Sequence, residues 1–135
     1  MPTLQEAIAT FGVTVDEHLD RQAEIPILTG LQFQGDVAVV PANRKPAGTP
    51  VREQGVPVLR GQAEANTHLL LAVGAVFFTE ERGSSRQILG VLTVEEGATA
   101  YLAHPEHAYS GIGPGTYELR RQREQADQST RLVAD

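Results

Sequence analysis

A chain of 135 residues, 41% apolar and 21% charged, has the size and composition of a single globular domain. It has no cysteine, which excludes disulfides, thiolate metal sites and cysteine nucleophiles. A net charge of −6 repels phosphate backbones and argues against nucleic acid as a partner.

Along the chain, Leu4, Ile8 and Phe11 follow helical spacing, with Pro2 in the first turn and Gly12 as a stop. Thr14 and Glu17 have the spacing of a capping box, which predicts a second short helix to about Gln22 with Val15 and Leu19 as its apolar stripe and His18 on its surface. Residues 1–23 are thus expected to form a helical arm reaching outward. From residue 24 the period changes. Pro26 favours extended backbone, and Leu31-Gln32-Phe33-Gln34 alternates with period two as a half-buried strand does. Residues 37–40 form a β-branched run ended by Pro41, and residues 42–50 read as a loop rich in breakers. A short strand is expected near 56–59, then two buried strands over 67–72 and 75–79, with Gly74 as a bulge or bend. Residues 80–86 are an exposed hairpin tip. Further strands are expected over 87–94, 99–103 and 116–123, with Pro114-Gly115 as a turn and residues 125–135 as a polar tail.

Strands at this spacing, with no crossover helix after residue 24, predict a mainly β fold: a small antiparallel barrel or sandwich over 24–124, preceded by one or two short helices. The longest apolar run, residues 69–78, is about half a membrane span, and no signal-peptide core opens the chain. A cytoplasmic protein with no membrane partner is expected.

Few residues stand out as carriers of chemistry. His68 begins an apolar strand, and His104-Pro105-Glu106-His107 precedes a Gly/Pro-rich stretch. In a small β-fold these three histidines can converge, and such a set suits Zn, Fe or Mn, with Glu64, Glu80 or Glu106 as the available acids. Their spacing alone does not define a metal motif. Ser84-Ser85 and Ser110 lack a nucleophile elbow. Residues 111–115 are rich in glycine, but a strand follows instead of a helix, so they read as a tight turn with positive φ and not as a phosphate loop. Arg120, Arg121 and Arg123 form the sharpest basic cluster. They read as the charged rim of an edge strand, or as a binding surface for an acidic partner. Residues 1–30 carry five acids and one base, whereas residues 31–60 carry two acids and four bases. That polarity suits self-association through complementary patches.

Several short stretches occur together in order: Gln34-Gly35-Asp36-Val37, residues 61–68, His104-Pro105-Glu106-His107, Pro114-Gly115-Thr116-Tyr117-Glu118 and Arg121-Gln122-Arg123-Glu124. The set resembles a widespread group of small, uncharacterised bacterial and phage proteins with Gln-Gly-Asp-Val, Gly-His-x-His, His-x-x-His and Pro-x-Gly-x-Tyr motifs. The likeness covers about residues 31–124. It implies that His68, His104 and His107 belong to one constellation, and it brings no activity with it. Ala65 and Asn66 stand where that group has Gly and the first His of its Gly-His-x-His stretch. A weaker likeness is to cupins, which hold a metal with paired histidines, a glutamate and a later histidine. The same departure at Asn66 removes one ligand of a full cupin set.

Two functions follow as expectations. The first is a non-enzymatic β-domain that serves as a protein-interaction or assembly subunit, as a homo-oligomer or within a larger particle of phage or mobile-element origin, with no cofactor. The alternative is a cupin-like enzyme binding Zn, Fe or Mn through His68, His104 and His107.

Overall fold

The computed structural model describes residues 2–17, 19–59, 67–81 and 87–122. His18, Glu64, Ala65, Asn66, Ser84, Ser85, Arg123 and the 125–135 tail lie outside the described residues. One helix, α1 (Leu4–Phe11), precedes ten strands. These are β1 (Ile27–Leu28), β2 (Gln32–Gln34), β3 (Val37–Pro41), β4 (Val56–Leu59), β5 (His68–Val73), β6 (Val76–Glu80), β7 (Ile88–Val94), β8 (Thr99–His104), β9 (Ala108–Ile112) and β10 (Gly115–Arg121).

The strands form two five-stranded sheets, β1-β9-β8-β5-β4 and β2-β3-β10-β7-β6, which face each other as a sandwich and do not close into a barrel. Alternation along each strand builds the core between them. Val37, Val39, Phe78, Leu92, Val94, Tyr117 and Leu119 from the second sheet meet Leu70, Ala100, Leu102 and Ile112 from the first. Gly74, at φ +87°, makes the tight turn by which the chain leaves β5 in one sheet and enters β6 in the other.

Three expectations change. The body is not wholly antiparallel, because β1 runs parallel to β9. Gly111 permits this pairing through close approach and not through positive φ: a Cβ there would lie 2.7 Å from the Pro26 carbonyl oxygen. The glycine-rich stretch is therefore partly strand β9, and of its three glycines only Gly115 has positive φ. In addition, β10 is the central strand of its sheet and not a charged edge. Tyr117 and Leu119 are fully buried on its inner face, and the arginines come only at its end.

The N-terminal segment departs furthest from expectation. It does not reach outward; it folds flat over the outer face of the first sheet. Leu4, Ala7, Val15 and Ile25 pack there on Leu71, Tyr101, Ala103 and Tyr109. Phe11 lies against Tyr101 and Tyr109, with ring centroids 5.6 and 6.2 Å away. The Tyr109 hydroxyl donates to the Val13 carbonyl at 2.8 Å, and burial pushes its pKa up to about 12. With both faces covered, β5 needs the apolar run it has, with no polar alternation. The only helix among the described residues is α1, capped by Thr3 and Glu6 in a reciprocal box. The Thr14–Glu17 pair, with the same spacing, starts no helix. Val15 is drawn into the cluster instead, and the Asp16 amide bonds the Pro105 carbonyl at 2.9 Å.

Candidate metal centre

The first sheet places two of the three histidines by register alone. Leu69 pairs with Ala103 and Leu70 with Leu102, so one step further His68 lies opposite His104. Both continue the inward face that carries Leu70 and Leu102, and so extend the core to the end of the sandwich. Each is only 4% exposed, and their ring centroids are 4.3 Å apart.

The third histidine arrives through a turn. His104 pairs with Ala108, leaving Pro105, Glu106 and His107 as the connection. Ala108 has φ +65°, the only non-glycine residue with positive φ among the described residues. A β-carbon in this region costs about 1–2 kcal/mol, so local strain is stored beside the imidazoles. The turn brings the His107 ring to 4.7 Å from His104 and 6.2 Å from His68, nearly parallel to the latter. The Asp16 amide holds the same turn from outside, which gives the packed N-terminal segment a part in shaping the site.

The second sheet closes the cluster with Gln34 and Gly35. Gln34, 4% exposed, reaches from β2 across the gap between sheets. Its Oε1 lies 2.9 Å from Nδ1 of His68. Its Nε2 donates to the carbonyls of Leu102 at 2.7 Å and Ala108 at 3.3 Å, and to Ser110 Oγ at 3.1 Å. Two of these three partners are carbonyl oxygens and can only accept, so the amide orientation follows and Oε1 must face His68. His68 therefore carries its proton on Nδ1 and keeps the Nε2 lone pair. Gly35, at φ +55°, lies over the rings. A Cβ on it would sit 2.8 Å from His107 Nε2 and 3.3 Å from His68 Cε1.

His104 has the opposite tautomer. Its Nδ1 accepts the Glu106 backbone amide at 3.1 Å, so when neutral it carries its proton on Nε2. The His104, Glu106 and His107 side chains each offer a ligand atom, all within 4.8 Å of one another. Burial, and then repulsion from His104 and His107, lower the pKa of His68 to about 4, so its imidazole is neutral at physiological pH. His104, His107 and Glu106, with the neutral His68 imidazole packed beside them and outside that 4.8 Å set, are donors of the type that Zn, Fe or Mn takes.

Of the three arginines expected as a basic cluster, Arg120 and Arg121 are described and Arg120 is taken up in an ion-pair network. Arg120 binds Glu118 through Nε at 2.9 Å and Nη2 at 2.8 Å, and Glu118 also takes Arg44 Nη1 at 2.7 Å. Arg44 bonds Glu81 through its other terminal nitrogen. Arg44 holds the Glu118 carboxyl below the usual carboxylate range, and Arg120 adds to the effect. Arg121, on the opposite strand face, is exposed.

Sequence reasoning missed Gln34 as a site residue. The Leu31–Gln34 alternation is real but inverted. Leu31 and Phe33 point outward, 57% and 53% exposed, while Gln34 turns in toward the histidines. Period two does not say which face is buried, and only the unusual register of glutamines on one face hinted at it.

A family model described as "Domain of unknown function (DUF8820)" matches residues 33–122, two thirds of the chain. The chain belongs to the DUF8820 family. No curated protein and no solved structure matches it. The DUF8820 segment begins one residue before Gln34 and takes in His68, His104, Glu106 and His107, while α1 falls outside it. The match thus spans β3 to β10 and most of β2, and leaves out β1 as well as α1.

Proposed function

We propose that this DUF8820 chain binds one divalent transition metal at the end of its sandwich, with His68, His104 and His107 as imidazole donors and Glu106 as the nearby carboxylate. The observation that carries the reading is the meeting of three imidazoles from β5, β8 and the β8–β9 turn, with neighbouring rings 4.3 and 4.7 Å apart. Solvation normally keeps histidines apart at a surface, and two of these are buried beside one another. Zn, Fe and Mn all suit the donors, and an unsaturated set of this kind leaves positions for water or substrate. Ligation by His104 through Nε2 moves its proton to Nδ1, which ends its acceptance of the Glu106 amide. Loading therefore resets the turn that also carries Glu106 and His107.

Elemental analysis of protein purified without chelator, and then incubated with Zn²⁺ and desalted, tests this. About one metal per chain is expected. His104→Ala should weaken binding by more than the roughly 10–100-fold that loss of an outer-shell partner costs. A wild-type protein that leaves the column without metal would overturn the reading.

A second reading, assembly into a homo-oligomer, keeps one specific support. Leu28, Leu31 and Phe33 are exposed at strands β1 and β2, which are edges of their sheets, in a segment (residues 25–35) without a charged residue. The folded-back N-terminal segment no longer supports it. Native mass measured on the same metal-free sample is expected to exceed one chain if these edges are an interface, and a strict monomer at high micromolar concentration refutes it.

A further inference from the structure

Among the described residues Gln34 is the buried side chain whose hydrogen bonds join both sheets at the cluster, and they fix how it meets His68. We propose that Gln34 is a positioning residue that holds His68 in the Nδ1–H form and so makes Nε2 its ligating nitrogen. The tautomer assignment stands on the metal-free geometry; the ligating role rests on the metal reading above.

The argument is one of donors and acceptors. Gln34 Nε2 is committed to the carbonyls of Leu102 and Ala108 and to Ser110 Oγ. A flipped amide would set its own oxygen against the carbonyl oxygens of Leu102 and Ala108, acceptor against acceptor, and withdraw its donors from both. Oε1 is therefore fixed toward His68, and an acceptor there selects the protonated Nδ1. A histidine ligand bound through one nitrogen ordinarily donates from the other to a fixed acceptor, which sets the orientation of its ring. Gln34 supplies that acceptor before any metal arrives. His104, by contrast, is set in the opposite tautomer by a backbone amide on a turn. The site is thus asymmetric: His68 is preset, and His104 must exchange its proton to ligate through Nε2.

Two substitutions separate positioning from mere cross-linking of the sheets. Gln34→Glu keeps an acceptor toward His68 but, when ionised, loses the donors to Leu102 and Ala108. Gln34→Leu loses both. Long-range ¹H–¹⁵N spectra of the metal-free protein at pH 8 read the ring protons directly. His68 is expected to carry its proton on Nδ1 in wild type and to retain it there in Gln34→Glu, but to shift toward Nε2–H in Gln34→Leu. Zn²⁺ affinity should fall about 10–100-fold in Gln34→Leu and much less in Gln34→Glu. A wild-type His68 in the Nε2–H form overturns the proposal, and so does loss of the Nδ1 proton in both variants alike. Should Gln34→Leu not fold, the wild-type and Gln34→Glu spectra decide by the same criteria. If wild type shows the expected tautomer and binds no Zn²⁺, the metal reading fails and the Gln34–His68 assignment stands.

Discussion

Metal-free protein is expected to lose stability steadily between pH 6.5 and 4, and His68 is the cause. Its folded-state pKa is about 4, lowered first by burial and then by His104 and His107, against 6.5 for an unperturbed histidine. Above pH 6.5 the folded and unfolded states are both neutral at this position, so it contributes no slope. Between 6.5 and 4 the unfolded chain takes up a proton that the native ring refuses, which favours unfolding by about 1.4 kcal/mol per pH unit. Below pH 4 the native ring is protonated too and the slope ends. The ceiling is roughly 3 kcal/mol, a large share of the 5–15 kcal/mol typical of a domain. Glu118, whose carboxyl is stabilised by Arg44 and Arg120, adds its own loss at more acidic pH. Denaturant unfolding at pH 7.5, 6, 5 and 4 on wild type and His68→Gln isolates the histidine contribution. The variant should flatten the slope between 6.5 and 4. Parallel curves for the two proteins would mean that His68 does not stay neutral in the folded state.

Much of the fold was legible because it depends on local pattern. Runs such as Val37–Val40 and the alternation of Tyr117 and Leu119 with polar neighbours read as strands, and they are strands. Gly74 marked a break and is where the chain changes sheet. The failures share a cause, which is that an element's partner decides what its pattern means. The Thr14-to-Glu17 spacing is a good cap, but Val15 gains more by joining Tyr101, Tyr109 and α1 than a single helical turn could supply. Strand β9 was hidden because Gly111 and Gly113 looked like turn residues. Gly111 stands there because β1 approaches too closely for a side chain, and a Cβ on Gly113 would meet the Thr29 methyl group just beyond β1. The three histidines were legible as candidates, whereas their distances depend on the β5–β8 register, which hydrophobic patterning does not number. Gln34 was readable only as part of a short motif, since its role needs the opposite sheet.

Gly35→Ala is expected to weaken metal binding by more than about tenfold (a loss above roughly 1.4 kcal/mol), and Gly12→Ala supplies the comparison that gives this meaning. Both glycines have positive φ, +55° and +80°, so an alanine at either position incurs the same kind of backbone cost, about 1–2 kcal/mol. Around Gly12 nothing lies within 4 Å of the added methyl group, and the residue only ends α1. Around Gly35 the methyl group would meet His107 Nε2 at 2.8 Å, Cδ2 at 2.9 Å and His68 Cε1 at 3.3 Å. His107 is exposed and sits on a turn, so it yields by swinging away, while the buried His68 stays under the Gln34 hydrogen bond. The relief of the clash therefore appears in the geometry of the cluster more than in folding stability. Unfolding measurements should place the two variants within about 1 kcal/mol of each other, whereas Zn²⁺ titration should separate them. Equal affinity in Gly35→Ala, Gly12→Ala and wild type would show that His107 is not a ligand. A metal bound without His107 would then have to rest on His68, His104 and Glu106, with the β8–β9 turn free to move in its presence.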